Sequence, residues 1–456
     1  MTEPRAAVLS RKLGLFAAAN LVVANMIGAG IFTTSGLLMA ELGNPILMIA
    51  LWAVGGVLAL SGALCYGALG AAMPRAGGEY VYLSRQFHPI FGFLTGWVSF
   101  FVGFSAPLAA SSLGLSEYLV SAFPGMLGWG GEVVVKRSIA MIVIGSLTLV
   151  HLRGIEFGSR VQNVLTVGKV LLIAGLVVVG FSIGTGSLGN LTGADAITSG
   201  GGGGWKTMGL ALMWIMFAYS GWNAAVYIGS EIRAPGRNLP LSLLVGTGLV
   251  ILLYLSLNLL YVYAIPAADM NGTIAIGGLA ASRLFGSSIE RVISLMIAFA
   301  LLSSVSALII LGPRVYYAMA KDGYFFRAVA EIHPVFRVPS KAIVLQCLIA
   351  LVMVMSGTFD QILTYMGFCL GIFPILVVMG VFKLRKEQRV GARVLPIAAL
   401  VFATVSVLIL VLAFQERPVE SSIAVLTVLA GIPFYAVFAR SRAAIGAPTH
   451  QHGQED

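Results

Sequence analysis

Asn25-Met26-Ile27-Gly28-Ala29-Gly30-Ile31-Phe32 and, far downstream, Phe217-Ala218-Tyr219-Ser220-Gly221-Trp222-Asn223 decide the fold. Each stretch interrupts an otherwise apolar segment with glycine. Unpaired backbone N–H and C=O groups cost several kcal/mol in hydrocarbon, so a break at that depth survives only inside protein or along a cavity. Two breaks at matching positions of two halves point to a solute site near the bilayer midplane.

The composition supports a membrane setting. Of 456 residues, 58% are hydrophobic and only 10% are charged, which suits an integral membrane protein rather than a soluble domain. With about 20 apolar residues needed per crossing, spans are expected near 14–39, 45–70, 89–112, 137–152, 161–183, 205–232, 241–264, 290–320, 342–356, 360–382, 395–414 and 421–439. The expected fold is all-α, with twelve transmembrane helices. Five spans in 14–183 form one repeat and five in 205–382 a second. The odd count inverts the second repeat, so that the first and sixth helices, both broken, face each other. Two additional helices at 395–439 follow. Residues 1–13 and 440–456 are the expected cytoplasmic N-terminus and tail, and the Gly-rich run from Ser199 to Gly204 a flexible outer connector.

The net charge of +10 does not imply a nucleic-acid partner. With the N-terminus inside, 21 of the 28 Lys and Arg residues fall at cytoplasmic ends, the bias of the positive-inside rule. The apolar run after Arg11-Lys12 is too long for a signal peptide and is read as a retained helix in the cell (inner) membrane. Cys65, Cys347 and Cys369 lie in spans without CxxC spacing, and the five histidines (His88, His151, His333, His450, His452) show no ligand spacing. Neither a metal, a cofactor nor an enzymatic constellation is expected.

The breaks suggest their own chemistry. Around Gly28, Ala29 and Gly30 a ligand can approach the main chain, and free N–H groups opening the next half-helix favour a carboxylate. Carbonyls near Met26, and those freed from Phe217 to Gly221, suit an ammonium. Together they describe an α-amino acid. A Gly-x-Gly in a membrane helix also serves close packing, but its recurrence at a related position, among Ser220 and Asn223, favours a site. Phe217, Tyr219 and Trp222 are placed either to shut such a cavity or to pack the core.

Lys169 lies within the apolar run from Val164 to Val179. An ionisable residue in a span is a functional hypothesis by default. At roughly 13 Å from Arg160 along a helix, snorkelling to the interface is a stretch. Lys169 either exchanges protons or stays charged, filling a cation position and tying the fifth span to the first and eighth.

Ile27-Gly28-Ala29-Gly30-Ile31-Phe32, the second break and Lys169 together resemble the amino acid, polyamine and organocation transporter superfamily. Phe217 to Asn223, Arg237-Asn238-Leu239-Pro240-Leu241, and Val161-Gln162 with Gly168-Lys169 are similar to the L-type amino acid transporters and their bacterial relatives. The likeness extends over roughly 10–390. It implies the LeuT-type fold, carboxylate binding at Gly28, Ala29 and Gly30, and ammonium binding by carbonyls near Met26, Phe217 and Ser220. It also implies a gate at Phe217, a polar contact from Asn223, and coupling residues Lys169, Ser303 and Ser304 where sodium-dependent relatives bind sodium. An ammonium at Lys169 argues against sodium. The serines alternatively bond back to their own helix.

Many relatives carry Ser at the position of Ala29. Animal L-type transporters join a partner chain through a cysteine in the outer loop after the third span. Here Gly114 to Lys136 has none, so no disulfide-linked partner is expected. No carboxylate falls midway along a span; Glu117 and Glu231 are read as an outer-rim and an inner-loop charge. The expected function is therefore sodium-independent transport of neutral L-amino acids by alternating access, as an exchanger or a proton-linked symporter. A permease for cationic amino acids or polyamines and an amino-acid-sensing receptor are the alternatives. The stretch from Pro74 to Tyr80 resembles a family element whose charges help close the inner mouth, or is simply a polar loop.

Overall fold

The computed structural model describes residues 11–192, 204–273, 276–356, 359–384 and 394–444. Residues 1–10, most of the Gly-rich connector and the tail beyond Ala444 lie outside it, as does 385–393 with four of the expected inner-face cations.

The chain is all-α and spans the membrane. Among the described residues, nine helices are long and apolar enough to cross, and Trp205–Ala218, Ser340–Met355 and Phe368–Lys383 are shorter apolar helices, so each of the twelve expected spans has a helix. The stretch expected to be the first repeat holds α1 (Leu15–Met26), α2 (Ala29–Leu42), α3 (Pro45–Ala72), the short α4 (Glu79–Gln86), α5 (Pro89–Val98), α6 (Ala106–Ala122), α7 (Glu132–Leu152) and α8 (Ile155–Ile183). The second holds α9 (Trp205–Ala218), α10 (Pro235–Ala264), the short α11 (Ala267–Met270) and α12 (Ile276–Phe285), α13 (Ser287–Lys321), α14 (Ser340–Ser356) and α15 (Phe359–Met379); α16 (Val394–Glu416) and α17 (Pro418–Ala444) follow.

Local chemistry sets the ends. Asn44 caps α3 by accepting from Leu47 N at 3.0 Å ahead of Pro45 at the first helical position, a strong start signal. Between α5 and α6 the third span runs as a π-helix from Ser99 to Ser105. Pro107, just beyond it, has no N–H to return to the preceding turn. Ser105 Oγ donates to Phe100 O at 2.7 Å.

Helices from the two halves of the chain pack in pairs, α3 on α10, α6 on α13 and α7 on α14, while α2 meets α9. The faces in contact are built from small residues: a Cβ on Gly30 would sit 2.8 Å from Ala218, and one on Gly67 3.1 Å from Pro240. Close backbone approach is how membrane helices gain dispersion energy without a hydrophobic drive between them.

The two broken spans differ. After α1 the helix resumes at Ala29, but after α9 it does not: 219–234 carries only two 3-10 turns, Ala224–Tyr227 and Gly229–Glu231. The expected span at 205–232 is therefore helical only in its first half. Gly221 stands at φ +99, and the segment beyond it spends its hydrogen bonds on neighbours rather than on a helix.

Candidate functional site

The two breaks meet. Gly28, extended at φ −114, starts α2, so the amides of Ala29 and Gly30 have no preceding turn to bond. Gly221 lies against Asn25, where a Cβ would sit 2.4 Å from Nδ2 and 2.9 Å from the Asn25 carbonyl. Tyr254 of α10 joins the half-helix ends, its hydroxyl shared between Met26 O at 2.6 Å and Ala218 O at 3.0 Å. Met26 O also accepts from Gly28 N, and Phe217 O from Ser220 N, both at 2.9 Å.

Beside this junction is a cavity of about 150 Å³. Asn25, Met26 and Gly28 to Gly30 line it from the first break, and Phe217, Ser220, Gly221, Trp222 and Asn223 from the second. The π segment and α6 add Ser99, Gly103, Phe104 and Ser111, with Ser304 from α13. Phe217 is half-buried at its wall. Trp222 meets Tyr66 and Phe402 edge to face, with ring centroids 4.7 and 5.6 Å apart. Tyr219 is not among the lining residues; it is fully buried between Trp52 and Tyr254 and donates to Trp52 O at 3.1 Å.

Lys169 is fully buried. Its ammonium donates to Ile27 O at 2.6 Å, Ser304 Oγ at 2.8 Å and Ala24 O at 3.2 Å. Three donors meet three acceptors, two of them carbonyls at the negative C-terminal end of α1, where a cation is favoured. Ser304 Oγ donates to Ile27 O at 2.5 Å, so α1, α8 and α13 are tied at one point. Ser303 belongs to a second cluster: its hydroxyl lies 3.1 Å from both Gln162 Nε2 and Thr166 Oγ1. Both serines make bonds across helices.

The polar wall that sequence reading missed is Glu79. Gly77 and Gly78, at φ +110 and +51, turn the chain sharply after Ala76. Glu79 then starts α4 only 6% exposed and lines the cavity. Its Oε1 accepts from Tyr66 Oη at 2.7 Å and Asn223 Nδ2 at 2.8 Å, and Oε2 from Thr95 Oγ1 at 3.3 Å. Asn223 Nδ2 also donates to Tyr227 Oη at 3.1 Å. Burial pushes the Glu79 carboxyl above its ordinary range, while these hydrogen bonds pull the other way. The adjacent glycines were its sequence signal. Asn25, whose buried Oδ1 has no partner, opens the first broken stretch but was missed because that stretch was read for its glycines.

Below the cavity the basic face is shut. Leu13 bridges Ile232, Lys12 N and Leu13 N donate to Glu231 O at 3.0 and 2.9 Å, and Arg233 N donates to Leu13 O at 2.8 Å. Ala76 bridges Ile228, and Gly77 N donates to Tyr227 O at 3.1 Å. Glu231, read from sequence as a loop charge, is fully buried. Its carboxylate accepts from Arg314 Nε at 2.9 Å and Nη2 at 3.3 Å, with Arg314 1% exposed. Arg314 Nη1 donates to Ile310 O at 2.6 Å. Cys65, Cys347 and Cys369 are buried and unpaired, and among the described residues no group of three His, Cys, Asp or Glu could hold a metal.

This arrangement has relatives over nearly its whole length. The chain is 28% identical to the b(0,+)-type amino acid transporter 1 of Rattus norvegicus, covering 96% of this chain and 90% of that one. It is 29% identical to the serine/threonine exchanger SteT of Bacillus subtilis (94% and 96% covered). It is 27% identical to the large neutral amino acids transporter small subunit 2 of Rattus norvegicus (94% and 80%). The model of the amino acid permease family matches residues 13–437, and the chain belongs to that family of amino acid transporters, which are not enzymes.

Proposed function

We propose that this permease moves small neutral L-amino acids by alternating access, without sodium. The carrying observation is that both breaks face one cavity of about 150 Å³ whose single lining carboxylate among the described residues, Glu79, is occupied by Tyr66, Thr95 and Asn223. The volume is below the usual 300–1,000 Å³ of pockets for drug-sized ligands, and a carboxylate so engaged is not free to pair a cationic side chain. A substrate carboxylate meets the amides of Ala29 and Gly30, and its ammonium the carbonyls around Met26, Phe217 and Ser220. Phe217 and Trp222 cover it; Tyr219 supports them from behind.

Lys169 fills the position of a coupling cation with a permanent ammonium, assisted by Ser304, and Ser303 steadies α8 against α13. The repeats at 14–183 and 205–382 rock about this site, with the basic face toward the cytoplasm of the cell membrane. The similarity to a serine/threonine exchanger supports the size class. Uptake of labelled alanine, serine, leucine and arginine into proteoliposomes tests the proposal. Saturable alanine and serine uptake, accelerated by internal amino acid and indifferent to sodium, is expected; preference for arginine would overturn it.

A further inference from the structure

Glu79 is the only carboxyl among the described cavity-lining residues, and no Lys, Arg or His accompanies it. It sits where the cavity meets the closure of the basic face. Its partners come from two groups of elements. Tyr66 on α3 and Thr95 on α5 lie on its own repeat, whereas Asn223 and Tyr227 lie on the segment after α9. The Ala76–Ile228 bridge and the bond from Gly77 N to Tyr227 O knit those two groups together just below. Parting 74–80 from 223–232, which any opening of that mouth demands, takes Asn223 from Glu79 and lets water in.

The titratable groups facing this carboxyl are Tyr66 from α3, Tyr82 from α4 and Tyr227 from the segment after α9. The charges nearest α4 hold other groups than Glu79: Asp322, just after α13, accepts from Tyr80, and Lys383 donates to Gln86 O. Arg75, in the loop before α4, and Arg85, in its last turn, repel each other, while Asp322 attracts Arg85. Among the described residues no cation therefore offsets the burial of the Glu79 charge.

We propose that Glu79 is the binding site of a coupled proton, taken from the outer side through the substrate cavity onto the carboxylate and released to cytoplasmic water when the basic face opens. This rests on the transport reading above and adds its coupling ion. The sign follows from linkage. A carboxyl raised above its ordinary 4.5 favours the closed state in acid, and that advantage is lost as pH rises through the raised value. Opening into neutral cytoplasm thus expels the proton. One zwitterion and one proton enter together, carrying one positive charge.

Proteoliposomes loaded with a trapped pH-sensitive dye test this with alanine as the probe. In the parent protein, external alanine is expected to acidify the lumen, and an acidic exterior to accelerate uptake into empty vesicles. In Glu79→Gln, which keeps the shape and cannot ionise, the dye response per alanine transported is expected to fall at least tenfold. Tyr66→Phe removes a donor to the ionised form and is expected to shift the pH profile of uptake to higher pH. A parent that exchanges alanine without any dye response overturns the inference, whatever the variants do, as does an unchanged dye response per alanine transported in Glu79→Gln. Absence of saturable alanine transport in the parent would instead overturn the transport reading itself.

Discussion

Glu231→Gln removes the carboxylate that neutralises a guanidinium 1% exposed to solvent, while leaving the shape intact. Arg314 then keeps Ile310 O but loses both charge-assisted bonds. Breaking one side of a buried ion pair costs about 3–5 kcal/mol. That cost falls on the closed conformation alone, because an open mouth hydrates the arginine. At about 1.4 kcal/mol per tenfold, the open population rises by roughly two to three and a half orders of magnitude. Amide hydrogen exchange reads this where the closure is made, at Lys12, Leu13 and Arg233, whose N–H groups bond across it. Their exchange is expected to accelerate by that factor in detergent or nanodiscs, while amides in the middle of α13 stay protected. The double variant Glu231→Met/Arg314→Met buries no charge, and is expected to bring protection back to within about tenfold of the parent. Unchanged exchange at Lys12, Leu13 and Arg233 in Glu231→Gln would refute the claim that this pair holds the basic face shut.

Three further outcomes are expected. Gly30→Ala places a methyl 2.8 Å from Ala218 Cα and Cβ, forcing the broken helices apart; a loss of about 1–3 kcal/mol is expected as a lower melting temperature with reduced alanine uptake, and an unchanged melting temperature would count against the crossing. Gly221→Ala must adopt φ +99 and meet Asn25 at 2.4 Å, so at least about 1–2 kcal/mol of backbone strain should appear in the same melting assay. Lys169→Ala empties the place between Ala24 O, Ile27 O and Ser304 Oγ. Transport is expected to collapse with the protein still monodisperse, or to return only with added sodium; full sodium-free activity would remove Lys169 from the cycle.

The broken first and sixth spans, Lys169 and the twelve apolar segments are legible in the sequence because a bilayer imposes strong local rules. Glycine in a span exposes backbone, an amine in a span needs acceptors, and length counts crossings. Each rule acts on a window of residues without reference to distant ones. The division of Ser303 and Ser304 between two hydrogen-bond clusters is not legible this way. It depends on which faces of α13 meet α8 and α1, and neighbouring serines differ there only by rotation about the helix axis. The same holds for Tyr219, expected among the aromatics over the site and found packed behind it against Trp52 and Tyr254.

Glu79 and Glu231 show the limit most sharply. Glu79 lies outside the apolar runs and Glu231 at the very end of one, so hydropathy assigns them to loops and to water. The chain turns at Gly77 and Gly78 and unwinds after Gly221, and these irregular segments carry both carboxylates into the protein, where Tyr66, Asn223 and Arg314 receive them. The sequence by itself determined that this chain crosses a membrane, breaks two helices and buries an amine. Only the tertiary structure decided where its buried acids sit. Desolvation of a charge is compensated by partners distant in the chain, and no local pattern encodes them.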